Sequence, residues 1–225
     1  MRIVLHSPEN DWGSTCTSPL VCSPSQELSR LEDLWRRIRT CRKCQDLGWL
    51  EQARPVFSAV FPARWMLIGQ APGTIEGDTG RPFSGRAGRQ LFRWLAQAGW
   101  REEVFRTNVY MTAMARCYPG KNPKGSGDRP PSQAELSLCR PYLEEELSLV
   151  QPSLLILVGK LAIQAFLGPV RLEEVVGQHL RVGERAVLPL PHPSGASRWL
   201  NQPAHHQLLE KALRQLEGPG DAGDQ

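Results

Sequence analysis

The sequence predicts an α/β protein, with a mostly parallel central sheet and helices on both of its faces. Three observations lead there. Apolar runs of strand length alternate with stretches whose apolar residues recur at helical spacing. Strands separated in this way by helices pair in parallel and are buried on both sides. Glycine- and proline-rich turns follow Gly69, Cys117 and Leu190, and ligands of open α/β sheets bind beyond the carboxyl ends of the strands.

Taken in order, residues 1–25 carry Pro8, Gly13, Pro19 and Pro24 among serines and threonines and read as a loose extension, in which Ile3 to Leu5 can pair as a short edge strand. Leu28, Leu31, Leu34, Trp35 and Ile38 form an apolar stripe that predicts a helix over 27–40. Residues 65–69 read as a strand, 88–98 as a helix with Leu91, Phe92 and Leu95 on one face, and 109–115 as a second strand. Ser132 with Glu135 three residues on is a capping box that opens a helix through about Val150. A strand over 154–158, a helix over 160–167, a strand over 186–190 and a helix over 204–216 complete the pattern. The tail over 218–225, GPGDAGDQ, reads as disordered. One α/β domain over 26–217 is therefore expected.

Composition narrows the class. With 40% hydrophobic and 22% charged residues the chain is that of a soluble globular protein, and its net charge of +4 permits a polyanionic partner without demanding one. The longest apolar run, around Leu154 to Val158, is far short of the roughly 20 residues a bilayer requires. No signal-peptide pattern opens the chain. Six cysteines without such a signal point to reduced thiols or metal ligands, and the cytoplasm is the expected compartment. No membrane partner and a monomeric state are expected.

Cys41 and Cys44 form a CxxC, with Cys117 and Cys139 further along. Two close and two distant thiolates can close a four-sulfur site, suited either to zinc or to a [4Fe–4S] cluster. The competing reading makes Cys117 and Cys139 buried small hydrophobes. Arg42, Lys43, Arg116 and Arg140 flank these cysteines and are expected to lower the thiol pKa values, which favours a shared cluster. Cys16 and Cys22 read as bystanders.

The segment Gly69-Gln70-Ala71-Pro72-Gly73, followed by Thr79-Gly80-Arg81-Pro82-Phe83-Ser84-Gly85-Arg86-Ala87-Gly88, resembles the first motif of the uracil-DNA glycosylase superfamily, and His192-Pro193-Ser194 resembles its last. The run Gly127-Asp128-Arg129-Pro130-Pro131-Ser132 and Cys139-Arg140-Pro141-Tyr142-Leu143 resemble its iron–sulfur branch, families 4 and 5. The resemblance covers about residues 30–215 and implies a three-layer αβα fold. It also implies a base-flipping glycosylase that acts on uracil or another deaminated base in DNA, single-stranded DNA included, with the four cysteines holding a [4Fe–4S] cluster. Gly69, Gln70, Ala71, Pro72, Gly73 and Phe83 would line the base pocket, with Phe83 as a stacking face; otherwise Phe83 is a core aromatic. His192 would steady the departing base anion rather than being a surface loop residue.

Over 194–199 the chain resembles the family's wedge loop, so that Ser194, Arg198 and Trp199 would meet DNA, Trp199 by intercalation unless it is buried in the core. Arg81, Arg86, Arg89, Lys121, Lys124, Arg129 and Arg198 on or near the turns would form a basic strip for DNA. The catalytic positions depart from the family. Family 4 has glutamate at Gln70 and a base-reading asparagine at Ala113, another branch has aspartate at Ala71, and family 5 has aspartate at Arg86. Asp128 then becomes the candidate that activates water or steadies the sugar cation, unless it is a loop aspartate paired with Arg129. Glu76 and Asp78 are alternative acids, and Asn122 matches a family 5 catalytic asparagine under a different gap. Two other readings stay open: a binder of uracil-containing or damaged DNA without turnover, and a small-nucleotide hydrolase or unrelated metalloprotein.

Overall fold

The computed structural model describes residues 24–216 except 124, 126 and 196. The N-terminal extension with Cys16 and Cys22, the possible strand at Ile3 and the tail beyond 217 lie outside the described residues. The helices are α1 (Pro24–Arg39), α2 (Lys43–Asp46), α3 (Thr74–Thr79), α4 (Arg86–Gln97), α5 (Glu102–Asn108), α6 (Gln133–Val150), α7 (Lys160–Leu167), α8 (Leu172–Val175) and α9 (Pro203–Leu213). The strands are β1 (Trp65–Gly69), β2 (Val109–Ala113), β3 (Leu154–Val158), β4 (Leu180–Val182) and β5 (Arg185–Leu190). Among the described residues no helix is long and apolar enough to cross a membrane.

The strands run in the order β2-β1-β3-β5-β4. Every pairing is parallel except β4 with β5, as the alternation of strand and helix requires. Consecutive strand residues point to opposite faces, and the core divides accordingly. Met66, Ile68, Tyr110, Leu155, Leu157 and Val187 join α1, α6 and α7 in one cluster. Leu67, Met111, Ile156, Val158, Leu188 and Leu190 join α4, α5 and α9 in the other. Burial on both faces is why these strands are continuous apolar runs. The free edge of β2 is covered by the segment before β1: Ser58 N–H donates to the Met111 carbonyl (2.8 Å), and Met111 N–H to Ser58 Oγ (2.6 Å).

The capping box forms as expected, with Glu135 N–H on Ser132 Oγ and Ser132 N–H on the Glu135 carboxylate. Further along α6, Glu146 is fully buried. Its carboxylate accepts from Tyr110 Oη (2.9 Å) and Thr112 Oγ1 (3.1 Å) of β2 and pairs with the buried Arg116, while Trp35 Nε1 donates to Tyr110 Oη (3.0 Å). Burial pushes the Glu146 carboxyl up, with Arg116 and the two hydroxyls pulling against it. Nothing in the sequence pattern announced this network. Glu146→Ala would leave the Arg116 charge unpaired in the interior, a change that typically costs about 3–5 kcal/mol. Urea denaturation should show that loss, and a smaller one for Glu146→Gln.

Candidate active site

The register brings the expected turns to one edge of the sheet. Gly69 lies opposite Ala113, and Val158 opposite Leu190. β1 and β2 stay joined past their ends, where Met114 N–H donates to the Gly69 carbonyl (2.9 Å) and Ala115 N–H to that of Gln70 (3.1 Å). Gly159 N–H donates to the Leu190 carbonyl (2.9 Å). The turns after β1, β2 and β5 therefore leave from the carboxyl ends of one sheet, with β3 between β1 and β5.

In the turn after β1, Pro72 is buried, while Gln70, Ala71 and Gly73 are half-buried. Glu76, offered above as an acid, is buried and accepts from the amides of Gly73 (3.1 Å) and Gly85 (2.7 Å). It therefore ties the two ends of the motif together. Asp78 is exposed and pairs with Arg54. Phe83 is half-buried with φ of 52°, in the left-handed region. Its ring lies against Gly69, where an added Cβ would stand 2.9 Å from Phe83 Cζ. At Gly88 a Cβ would stand 1.8 Å from the Phe83 carbonyl oxygen, so only glycine fits there.

His192 is half-buried beside Gly159, whose φ of 90° suits glycine; a Cβ there would lie 3.0 Å from His192 Cδ2. The Ser194 amide donates to His192 Nδ1 (3.2 Å), and Ser194 Oγ lies 2.8 Å from the same nitrogen. An amide can only donate, so Nδ1 carries no proton and the neutral ring holds its proton on Nε2. Burial lowers the His192 pKa. Ser194, expected on DNA, thus fixes the histidine tautomer.

Trp199 lies nearer the second of its two readings, the core one. Its ring is half-buried, stacked on His205 (4.2 Å between centroids, 14° between planes) and packed on the second core, so it supports the loop from within. Arg129 departs in turn, because its guanidinium grips Glu135 through two bonds of 2.8 and 2.7 Å. Of the other basic residues expected in a strip, Arg81 lies 4.0 Å from Glu102, and Arg86, Arg89, Lys121 and Arg198 are exposed. Lys124 lies outside the described residues.

The chain after Cys117 folds back as a hairpin. Lys121 bridges Asp128, Asn122 N–H donates to the Gly127 carbonyl (2.9 Å), and Arg129 N–H to that of Gly120 (3.0 Å). Asp128 is exposed and turned to the first motif: a Cβ on Gly73 would lie 3.3 Å from its Oδ2. Its other oxygen accepts from Tyr118 Oη at 3.0 Å. The competing reading, a pairing with Arg129, gives way to that hydroxyl, and Asn122 sits one rung nearer the hairpin tip. Tyr118 escaped the sequence reading, because its partnership with Asp128 depends on the hairpin.

Cys41, Cys44, Cys117 and Cys139 all line one small cavity. The expectation of lowered thiol pKa values is not met. Burial and the neighbouring thiols push Cys44 up to about 11 and Cys117 to about 12, and burial also raises Cys139. Lys43 and Arg116 oppose this, whereas Arg42 and Arg140 lie out in solvent beside Asp46 (3.8 Å) and Glu144 (2.7 Å). Among the described residues, no three His, Cys, Asp or Glu side chains are grouped to grip a single metal ion.

Comparison with known proteins gives a consistent result. The model of the uracil DNA glycosylase superfamily matches residues 56–217. A Type-4 uracil-DNA glycosylase of Archaeoglobus fulgidus is 33% identical over 137 residues, 61% of this chain and 63% of that protein. A Type-4 enzyme of Thermotoga maritima is 31% identical over 167 residues, 73% of this chain and 81% of that protein. A Type-5 uracil-DNA glycosylase of Thermus thermophilus is 34% identical over 145 residues, 59% of this chain and 63% of that protein. Matched over most of its length by the family model, with both motif turns at the carboxyl ends of one sheet, this chain belongs to the uracil DNA glycosylase superfamily.

Proposed function

We propose that this protein excises uracil, or another deaminated base, from DNA by hydrolysing the N-glycosidic bond of a flipped-out nucleotide. The observation that carries the reading is the neutral His192, with Nδ1 held by Ser194 and its proton left on Nε2. A base extruded from the stack needs a snug pocket. Phe83 offers it a face, and stacking of this kind is worth roughly 1–3 kcal/mol. As the bond to the sugar breaks, negative charge gathers on the pyrimidine carbonyl oxygen, and an Nε2–H donor aimed there stabilises the transition state more than the ground state. Asp128 Oδ2, free of the Tyr118 bond, serves the opposite charge: it orients water and steadies the cationic sugar. The exposed arginines 86, 89 and 198 supply phosphate contacts.

Cys41, Cys44, Cys117 and Cys139 would hold a [4Fe–4S] cluster in the cavity they share. Burial raises the pKa of the Cys44, Cys117 and Cys139 thiols, which need a cationic centre to become thiolates, and the spread of the four sulfurs around one space suits a cluster better than a lone zinc ion. When bound, the cluster supplies iron sites that take up four thiolates and cross-link three separate chain segments.

Asp128→Ala should lower kcat on uracil-containing oligonucleotides by on the order of 100- to 10,000-fold with little change in KM; an unchanged kcat removes Asp128 from the chemistry. Because burial lowers its pKa, His192 should stay neutral as the pH falls through about 6.5, where an ordinary histidine is half protonated. Single-turnover excision should therefore persist there and fail only at lower pH. Fold stability should decline over the same descent below about 6.5, since the unfolded ring binds a proton the folded ring refuses. Anaerobically purified protein should be brown and contain iron and sulfide, both lost in Cys117→Ser; stoichiometric zinc without iron would overturn the cluster. A wild-type protein that releases no base from any deaminated substrate, yet binds such DNA tightly, would make it a binder without turnover.

A further inference from the structure

Phe83 stands in the left-handed conformation, which a non-glycine residue adopts only at a steric cost. Such a residue persists only where its surroundings over-determine it. Gly69 beneath the ring and Gly88 beneath the carbonyl make room for the conformation but do not enforce it. The enforcing group comes from another element. Arg106, near the end of α5, donates through Nη1 to the Pro82 carbonyl (2.7 Å) and through Nη2 to the Phe83 carbonyl (3.0 Å). Its Nε donates to Glu102 Oε1 (2.8 Å), and its guanidinium lies 4.3 Å from the centroid of the Phe92 ring. Phe92 is in turn wedged edge-on against Phe105 (6.0 Å, 80°). The guanidinium is therefore fixed by a carboxylate and an aromatic face, and it presents a planar fork to two successive carbonyls. With its side chain only 10% exposed, the fork works where water competes poorly.

We propose that Arg106 is the positioning residue that holds Phe83 in its base-accepting orientation, so that the stacking face is formed before the base arrives. This rests on the glycosylase reading for the identity of the base, but the clamp can be tested without turnover. A lysine cannot replace the fork, because a single ammonium does not bridge two carbonyls in that plane. Glu102 is partly exposed and becomes solvated if Arg106 is removed, so Arg106→Met can be made without stranding a buried charge.

The experiment compares wild type, Arg106→Met, Arg106→Lys, Phe83→Ala and the double variant Arg106→Met/Phe83→Ala. In protein labelled with fluorophenylalanine, the resonance assigned to Phe83 should move in Arg106→Met, as should that of Phe92, which loses the guanidinium over its ring, while the other phenylalanine resonances hold their positions. KM for a uracil-containing oligonucleotide, and the inhibition constant of free uracil, should rise about fivefold, the lower end of a stacking contribution. The value of kcat should change by no more than about twofold to threefold, and Arg106→Lys should not rescue. In the Phe83→Ala background Arg106→Met should add nothing further, as for two residues acting through one contact. An unmoved Phe83 resonance, additive losses in the double variant, or a shift of all the phenylalanine resonances together would overturn the proposal, the last marking a merely structural arginine. Failure of the wild type to excise uracil would instead sink the glycosylase reading, and the fluorine spectrum would still decide the clamp.

Discussion

The carboxylate of Glu146 is the point to which the working parts of the molecule are tied. It reaches from α6 to Tyr110 and Thr112 on β2 and to Arg116 just beyond that strand. Cys117 and the hairpin follow immediately on one side of this junction, and Cys139 and Glu135 lie on α6 on the other. A buried ion pair is weak evidence for stability, because well-packed apolar residues often do as well. What apolar packing would not fix is the exit direction of the chain at Arg116. With that guanidinium also on the Ala113 carbonyl, the end of β2 and the middle of α6 keep one relative position.

From that junction a short path leads to the proposed chemistry. Arg129 bridges to Glu135, which also caps α6 through Ser132. Burial works against the ionised Glu135, but Arg129 and the Ser132 donors outweigh it and hold its carboxyl below the usual range. Pro119 and Pro131, at the two ends of the hairpin segment, line the cysteine cavity together with Glu135. The hairpin therefore links Asp128 to the cysteine cavity, with Asp128 turned toward Gly73 and the hairpin's base toward the thiols. A cluster bound by those thiols would fix the base of the hairpin that carries Asp128.

The layers and the motif turns were legible in the sequence because each rests on a local rule. Buried parallel strands are apolar runs, and 154–158 was readable without any partner. Turns that need glycine and proline show them, as 69–73 does. What escaped depends on contacts between distant segments. β4 is three residues with a charged Arg181 in its middle, and pairing with β5 makes it a strand. α5 is too short to show a stripe. Trp199 looked like an exposed wedge until His205, from the next helix, took its face. Arg129 seemed the natural partner of Asp128, its neighbour in sequence, but the hairpin ladder turns it to Glu135 and leaves the carboxylate to Tyr118. Charge adjacent in sequence says little about charge adjacent in space.

The departures from the family pattern bear on selectivity. Where family 4 has an asparagine that reads the uracil edge, this chain has Ala113, and the Ala113 carbonyl is already engaged by Arg116. Position 113 therefore offers no side-chain amide to a base. A site that hydrogen-bonds its substrate rejects an analogue lacking the matching group far more strongly than an apolar, shape-reading site does. On the proposed reading, discrimination here shifts toward the fit between the Phe83 face and the backbone around Gly69 and Gly73. That places a heavy demand on geometry. A ring that selects by shape must be fixed before the base arrives, and a strained, clamped aromatic meets that demand where a freely rotating one would not.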